Sequence, residues 1–241
     1  MNISKKIKNR LRLVADVDRA ISLRRFFKTG RGEYGEGDIF IGVRVPDQRV
    51  IAKEYFDGAS MDDIDELLKS RVHEDRLTAL IIMVMKFGRA DKKVKEDIFE
   101  FYLSRTERIN NWDLVDLSAP YIIGGWMKEG RSVDIIRSLA VSSNIWERRM
   151  AIVSNLPLVR DGNISSAMDI AEMLVYDRDD LIHKAVGWVL REVGKKDKGS
   201  LKSFLKKHLA SMPRTTLRYS IERFSEAERL SYLNHGKRKL N

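Results

Sequence analysis

The sequence predicts an all-α protein in which short helices, joined by short turns, are stacked as repeated pairs. Two observations predict this fold class: apolar residues recur with the period of an α-helix, and related segments recur at a spacing of 36 residues. The chain has 241 residues, 43% hydrophobic and 33% charged, so it can bury a core without disulfides or metals. We expect a single repeat domain over residues 1–241.

The clearest predicted helix runs from His73 to Gly88, where apolar residues follow the i, i+3, i+4, i+7 spacing of a helix that faces a core. No run of comparable length alternates as a strand would. A further amphipathic helix is predicted near the C-terminus, built on Leu201, Phe204, Leu205 and Leu209. Residues that favour helix boundaries are Ser60, Asp91 and Ser132 at helix starts, and Gly88, Gly130, Gly162 and Gly194 at helix ends.

The repeat rests on four small or short side chains, each 36 residues from the next: Ala79, Val115, Ala151 and Gly187. Small residues at a shared position would let neighbouring helices pack closely. A period near 40 residues with two helices per unit is typical of α-solenoids of the HEAT type, in which the second helices line a concave face. We therefore expect an α-solenoid of HEAT-like repeats.

Two further positions of this alignment carry unusual residues. Three residues before the shared position stand Arg76, Trp112, Arg148 and Lys184, and one residue after it stand Leu80, Asp116, Ile152 and Trp188. Three basic residues and one Trp in register on successive helices indicate a surface for an anionic ligand, which would make the concave face basic. The alternative is a solvated outer face on which a Trp fills a gap.

The positive charge is concentrated at the two ends of the chain. The net charge is +10, of which residues 1–31 contribute +8 and residues 191–241 contribute +9, whereas residues 32–190 carry −7. Basic ends around a mildly acidic middle indicate a polyanionic partner, with nucleic acid as the first candidate and an anionic membrane surface as the second. The third interpretation is that the charge only keeps the protein in solution.

The composition also excludes several classes of protein. There is no cysteine, so disulfides, thiolate metal sites and cysteine nucleophiles are excluded, and a reducing compartment fits. The longest apolar runs fall far below the roughly 20 residues needed to span a bilayer. The first residues lack the apolar stretch of a secretory signal. We expect a cytoplasmic protein without a membrane partner.

Familiar cofactor and metal motifs are weak or missing. Gly30, Gly32 and Gly35 form a G-x-G-x-x-G pattern, but they follow a basic helical stretch rather than a strand. We therefore expect an interhelical loop there and no nucleotide cofactor. The histidines form no ligand pair, so no metal is expected, and no nucleophile elbow or phosphate loop occurs. The scattered histidines are His73, His183, His208 and His235.

Trp112 and Asp116 are four residues apart and so lie on one face of a helix, in a segment that we expect to end at Pro120. An indole face attracts a cation by about 0.5–2 kcal/mol. A carboxylate adds about 4 kcal/mol at about 4 Å with an effective dielectric constant of about 20. The pair is suited to a cationic ligand; alternatively, Trp112 belongs to the core and Asp116 caps a neighbouring helix.

Five stretches resemble, in order, the DNA alkylation repair enzyme family, the AlkD-like DNA glycosylases. They lie between about residue 20 and about residue 195 and read FFKTGRGEYGEGDIFIGVRVPDQR, RVHEDRLTAL, NNWDLVDLSAPYIIGGWM, WERRMAIV and AVGWVLRE. The resemblance implies a HEAT-like solenoid that cradles duplex DNA and removes positively charged N3- and N7-alkylated purines without a deep base-flipping pocket.

The resemblance also implies the site residues. The family's W-D-x-V-D stretch matches Trp112 and Asp116, and its G-W-x-L-R-E stretch matches Trp188. The second Arg of the family's R-R pair, which contacts DNA near the lesion, matches Arg149. One departure is an aromatic residue of the early helix, Tyr in some members, which is Phe26 or Phe27 here.

The implied chemistry agrees with the residues. An alkylated purine is a cation and a good leaving group, so the enzyme need only stabilise an oxocarbenium-like sugar, as Asp116 could, and orient water. Trp112 and Trp188 would pack on the deoxyribose and the cationic nucleotide. Phosphates would be bound by Arg148, Arg149 and Lys184, together with the basic termini, and Arg76 is also expected to bind DNA. We expect a monomer that needs no protein partner. A catalytically inactive DNA-binding member of the family and a HEAT-type protein adaptor are the alternatives.

Overall fold

A computed structural model of the chain describes residues 2–131 and 133–234. Over these ranges the regular elements are helices, and the only pairing of extended backbone is an isolated parallel bridge between Ile39 and Val72. The predicted all-α fold class is confirmed, and the succession of helices is consistent with an α-solenoid. Within the same ranges, none of the helices has the length and apolar character required to cross a membrane.

The chain divides into two compact units, Met1–Ile122 and Ile123–Asn241, with the division inside one helix, α7. The single repeat domain over residues 1–241 stays a prediction beside this division. In the first unit α3 and α4 pack against α5, and α6 is joined to α7 by a hydrogen bond of 2.8 Å between Tyr102 and Ser118. Its helices are α1 Ile3–Leu13, α2 Val17–Phe26, α3 Val45–Tyr55, α4 Met61–Leu68, α5 His73–Arg89, α6 Lys92–Leu103 and the start of α7 Trp112–Lys128, with a 3-10 turn at Thr106–Arg108.

In the second unit α8 packs against α9, α11 packs against α12, and α12 also contacts α9, α13 and α14. The predicted C-terminal amphipathic helix is α13, which buries Leu201, Phe204 and Leu205. The helices of this unit after α7 are α8 Asp134–Ala140, α9 Ile145–Val153, α10 Leu156–Arg160, α11 Ser165–Leu174, α12 Asp180–Lys196, α13 Lys198–His208, α14 Arg214–Ser220 and α15 Glu226–Asn234.

The 36-residue alignment corresponds to one buried position on α5, α7, α9 and α12. Ala79, Val115 and Ala151 are all 0% exposed, and Gly187 is buried. A Cβ atom on Gly187 would lie 2.5 Å from Cβ of Tyr219 on α14, so only glycine fits this helix contact without a shift. The shared position is therefore a core position in all four helices, and at Gly187 a close approach of α12 and α14 requires a small residue. The HEAT type of the repeats and a concave basic face stay predictions.

A second recurring feature is found where α5, α9 and α12 begin. In each case a side chain in the first two turns of the helix contacts the carbonyl oxygen six residues earlier, ahead of the helix. The contact closes the turn that leads into the helix and occupies a carbonyl that the helix itself does not use. The pairs are Arg76 with Ser70 (2.9 Å), Arg148 with Ser142 (3.0 Å) and His183 with Asp177.

Two of the predicted helix starts are confirmed. Ser60 caps α4 in a capping box, in which its hydroxyl accepts from the Asp63 N–H and the Asp63 carboxylate accepts from the Ser60 N–H. Asp91 caps α6 by accepting from the Val94 N–H at 3.0 Å. The third predicted start, Ser132, lies outside the described residues.

The predicted helix ends are partly wrong. Gly130 and Gly162 follow α7 and α10 in left-handed conformations, with φ of +77° and +90°. Gly88, however, lies in the last turn of α5, which ends at Arg89. Gly194 lies inside α12, where a Cβ atom would stand 2.4 Å from Leu201 Cδ2. Gly194 is thus a contact with α13 and not a helix end, because packing can require glycine as much as a turn does.

Candidate active site

Trp112 is the first residue of α7, and its indole ring is half-buried. The ring stacks on Phe27 with centroids 5.2 Å apart and planes inclined by 19°, while Phe26 meets it edge-on at 5.9 Å. The indole N–H donates to the hydroxyl of Tyr34 at 3.3 Å. These contacts fix the plane of the indole and leave part of it accessible, as a stacking surface for a planar or cationic ligand requires.

The stack continues from Trp112 into the interior of the first unit. Phe27 stacks on Phe40 at 4.9 Å, and Phe40 stacks on the imidazole of His73 at 4.4 Å. Phe27 and Phe40 are 6% and 3% exposed. Trp112, Phe27, Phe40 and His73 therefore form a continuous aromatic column that connects a buried histidine to an accessible indole.

Both ring nitrogens of His73 contact carboxylates. Nδ1 lies 3.0 Å from Asp38 Oδ2, and Nε2 lies 2.8 Å from Asp113 Oδ2. Burial alone would lower the pKa of His73, but the charge and hydrogen bond of Asp113 and the hydrogen bond of Asp38 raise it to about 9. His73 is therefore an imidazolium at neutral pH, with a carboxylate on each side, and it ties the start of α7 to α5 through Asp113.

Arg76 belongs to the same cluster. Its guanidinium donates to Asp38 Oδ1 at 2.7 Å, to the Ser70 carbonyl at 2.9 Å and to Asn110 Oδ1 at 3.1 Å. Burial would raise the pKa of Asp38, but His73 and Arg76 together hold it below its usual value. Arg76 is only 4% exposed, so the predicted DNA-binding role has almost no accessible surface at this position. His73, Asp38, Asp113 and Arg76 are called the buried ionic network below.

The glycine-rich segment lies, as predicted, in the loop between α2 and α3. The end of the loop is fixed to α5 by Glu74, whose carboxylate accepts the N–H groups of Ile41, Gly42 and Val43 at 2.8–3.3 Å. Gly42 has a φ of +83°, and a Cβ atom there would stand 2.0 Å from the Asp16 carbonyl oxygen. The loop is therefore held against both α2 and α5. It carries Tyr34, which accepts the hydrogen bond of the Trp112 indole, and Phe40, which is separated from Trp112 by Phe27 in the stack.

Asp116 follows Trp112 by one turn of α7 and is half-buried. Its charge adds to burial, the larger cause, in raising the pKa of Tyr102 on α6. The prediction that the helix ends near Pro120 is wrong, since α7 continues to Lys128 with Pro120 inside it. Proline removes the N–H that would bond to the Asp116 carbonyl, a local loss that the packing of α7 tolerates.

In the second unit, the adjacent arginines of α9 both reach the start of α12. Arg148 donates through Nε to Asp177 at 2.7 Å, in a pair whose side chains are 15% and 8% exposed. Arg149 is 5% exposed and donates to the Leu181 carbonyl at 2.7 Å. Both guanidiniums therefore have protein partners here.

The remaining predicted residues lie on α12. Lys184 is 41% exposed and pairs with Asp180 one turn earlier at 2.7 Å. Trp188 follows Lys184 by four residues, on the same face, and is half-buried. The face of α12 that carries Lys184 and Trp188 thus combines an accessible cation with a partly accessible indole.

A family described as DNA alkylation repair enzyme matches residues 7–224 of the chain. The chain belongs to the DNA alkylation repair enzyme family. The chain is similar to a solved structure from Enterococcus faecalis, which is described as a predicted DNA alkylation repair enzyme. The TM-score is 0.67 and the sequence identity is 15%. The similarity covers 88% of this chain and 97% of that one, and at this identity it shows the fold alone. None of the curated proteins compared with the chain matches it.

Membership of the DNA alkylation repair enzyme family gives the chain a role in DNA repair, as an enzyme. Trp112, Asp116 and Arg76 lie in the first unit of this family member, and Arg148, Arg149, Lys184 and Trp188 lie in the second. Their roles in catalysis and DNA binding stay predictions. No group of three or more His, Asp or Glu residues in the described part of the chain could hold a metal ion.

Sequence reasoning missed the buried ionic network. His73 was a lone histidine with no ligand-type spacing, and its partners Asp38 and Asp113 lie 35 and 40 residues away in the sequence. One local signal existed in the sequence, the adjacent acidic residues Glu74 and Asp75 directly after His73. In the structure both lie in the first turn of α5 and are buried, with 1% and 0% exposure. Charged residues buried at a helix start need partners from other segments, and such partners cannot be identified from spacing.

Proposed function

We propose that the protein is a DNA glycosylase that removes positively charged N3- and N7-alkylated purines from duplex DNA, within base excision repair. The observation that carries the proposal is the pairing on α7 of a half-buried, immobilised indole, Trp112, with a carboxylate one turn later, Asp116. Membership of a DNA alkylation repair family supports the choice of alkylated DNA as the substrate. Trp188 is the third residue of the proposed reaction site.

The proposed reaction breaks the bond between C1′ of the deoxyribose and N9 of the purine that is alkylated at N3 or N7. The bonding electrons go to the base, which leaves neutral because it was a cation, so no acid is needed to protonate it. Positive charge develops on the sugar in an oxocarbenium-like transition state. Asp116 stabilises this charge and accepts the proton of the water that adds to C1′. Normal purines are spared because they are poor leaving groups.

Trp112 and Trp188 have a positioning task in this proposal. A flat indole packed on the deoxyribose and on the cationic nucleotide excludes water and attracts positive charge by about 0.5–2 kcal/mol. The aromatic column and the Tyr34 hydroxyl restrict the orientation of Trp112 before DNA binds, so little side-chain entropy is lost on binding.

Lys184 and Arg148 are proposed to bind phosphates. Arg149 is proposed to contact DNA beside the lesion, which requires its largely buried guanidinium to turn outward from the Leu181 carbonyl. The carboxylates now paired with Lys184 and Arg148 would be exchanged for, or supplemented by, phosphate oxygens. Arg76 is proposed to support the start of α7 through the buried ionic network, because its donors face Asp38, Ser70 and Asn110. We also propose a monomer that acts in the cytoplasm, at the nucleoid in a prokaryote, without a cofactor.

The test is release of 7-methylguanine and 3-methyladenine from methylated duplex DNA by wild type, Asp116→Asn and a control, Asp57→Asn. Asp57 is an acid of the same unit with a side chain 84% exposed. We expect Asp116→Asn to slow release by on the order of 100-fold or more while DNA binding persists, and Asp57→Asn to behave as wild type. Binding is measured at two salt concentrations, because phosphate contacts weaken as salt rises.

The other outcomes assign the alternatives. Salt-sensitive binding without base release by any of the three proteins would refute the glycosylase and leave an inactive DNA-binding member. Absence of salt-sensitive DNA binding would instead favour an adaptor for a protein partner.

A further inference from the structure

The first unit contains a groove between α3, α5 and α7, with a volume of about 300 Å³. Its apolar lining comes from Ile81, Val84 and Met85 on α5 and from Leu117 on α7. We call it the α3–α5–α7 groove. Leu117 directly follows the proposed catalytic residue Asp116 in the sequence of α7. The volume is at the lower end of the range for small-molecule sites, about 300–1,000 Å³.

Two cations stand at one side of the groove. Arg49 and Lys53 of α3 are four residues apart, hence neighbours on the helix surface, and both are exposed. Within the described residues neither has an ion-pair partner or a side-chain hydrogen bond, and no acidic residue lines the groove. This differs from Arg148 and Lys184, whose charges are already matched by Asp177 and Asp180.

An aromatic ring completes the lining. Tyr121 lies five residues after Asp116 on α7, about 7.5 Å further along the helix axis, and is 51% exposed. The groove thus offers a ring face, an aliphatic floor and two adjacent positive charges. A ligand that matches all three carries a flat, largely apolar group joined to an anion.

We propose that the α3–α5–α7 groove binds one nucleotide of a DNA strand, with its base displaced from the duplex. The phosphate lies between Arg49 and Lys53, and the base packs on Tyr121 and on the aliphatic floor. Stacking on an aromatic ring tolerates any base, because every base has a π face, so the site is not sequence-specific. The inference rests on the proposed action on DNA, and it adds a second site that holds the strand, lined in part by α7, the helix that carries Trp112 and Asp116.

The groove predicts a preference for DNA that contains an unpaired nucleotide, since a base inside a duplex would first have to be unstacked. Fluorescence anisotropy measures the affinity of the protein for three DNA molecules: a duplex that contains a single-nucleotide bulge, the same duplex fully paired, and a duplex in which the bulged nucleotide is abasic. We expect the base-containing bulge to bind most tightly. Tyr121→Ala is expected to weaken binding of the bulged duplex by about 10-fold and to leave the paired duplex unchanged.

The cation pair has its own readout and a matched control. Arg49→Ala combined with Lys53→Ala should flatten the slope of log K against log salt by about 0.7–0.9, which is the contribution of the one phosphate that lies between the two side chains. Lys5→Ala combined with Lys92→Ala removes the same charge from exposed positions on α1 and α6. The control pair should keep the preference for bulged over paired DNA, whereas the Arg49 and Lys53 pair should lose it.

A bulge carrying 2-aminopurine reports base packing directly, because stacking quenches its fluorescence. We expect quenching by wild type that is lost in Tyr121→Ala. Equal binding of bulged and paired DNA by wild type, or an unchanged preference in Tyr121→Ala, would overturn the proposal. Binding of phosphatidylserine vesicles that depends on Arg49, Lys53 and Tyr121, without preference for bulged DNA, would overturn it in favour of a lipid headgroup.

Base release from methylated duplex, measured in parallel, keeps this inference separate from the glycosylase proposal. If wild type releases no base, but prefers bulged DNA and loses this preference in Tyr121→Ala, the glycosylase proposal is refuted and nucleotide binding in the groove is supported. Base release by a wild type that shows no bulge preference would support the glycosylase and refute the groove.

Discussion

The charge on His73 should make the stability of the protein fall as the pH rises from about 6.5 to about 9. The pKa of His73 is raised from 6.5 to about 9 in the folded protein. A group whose pKa is raised on folding stabilises the folded state fully below its unfolded pKa, and that contribution is lost as the pH passes the folded pKa. A tenfold change in proton affinity corresponds to about 1.4 kcal/mol. Below about pH 6.5, protonation of His73 in the buried ionic network therefore adds about 3 kcal/mol to the free energy of unfolding.

The assay is urea unfolding at several pH values between 6 and 9.5 for wild type and His73→Gln. The glutamine side chain of the variant is neutral at every pH. We therefore expect the difference in unfolding free energy between wild type and His73→Gln to narrow by about 3 kcal/mol as the pH rises from 6 to 9.5. NMR titration of the His73 ring gives the folded pKa directly. Parallel pH profiles for the two proteins, or an NMR pKa near 6.5, would refute the assignment of an imidazolium between Asp38 and Asp113.

Three other predictions concern single contacts. Gly42→Ala places a Cβ atom 2.0 Å from a carbonyl oxygen at positive φ and should lower the unfolding free energy by about 3–5 kcal/mol. Gly32 has a similar φ but open space around it, so Gly32→Ala should lower the unfolding free energy by only about 1 kcal/mol. Equal urea midpoints for the two variants would contradict this prediction. Arg148→Ala leaves the largely buried Asp177 without its partner and should destabilise by about 3 kcal/mol; an unchanged melting temperature would show that the pair is not structural. Gly187→Ala should lower stability by about 1–3 kcal/mol through the clash with α14, as measured by thermal unfolding, and no change would mean that α12 and α14 can separate at little cost.

The fold class could be predicted because helix formation and close packing act over short stretches of chain. The period of 36 residues identified Ala79, Val115, Ala151 and Gly187, and all four are buried. Glycine was ambiguous, because the same residue suits a helix end, as at Gly162, and a close contact between helices, as at Gly194. The sequence around a glycine does not distinguish these two demands.

The candidate site was only partly predictable. Trp112 and Asp116 share one helix face through their spacing, which any helix imposes. The burial of Arg76 was not predictable, because its partner Asp38 lies 38 residues earlier, in a loop without regular structure. Arg49 and Lys53, which have no ion-pair partner in the described part of the chain, were missed for the converse reason. The sequence does not show whether a carboxylate lies beside a given cation in the folded protein.

The recurring contacts at the starts of α5, α9 and α12 have a consequence for the rate of folding. Each one joins atoms only six residues apart in the chain. Loops of about 10 residues close in about 10–100 ns, much faster than distant segments meet. These three helices can therefore acquire their starting turns during synthesis, before the segments that later pack on them have left the ribosome.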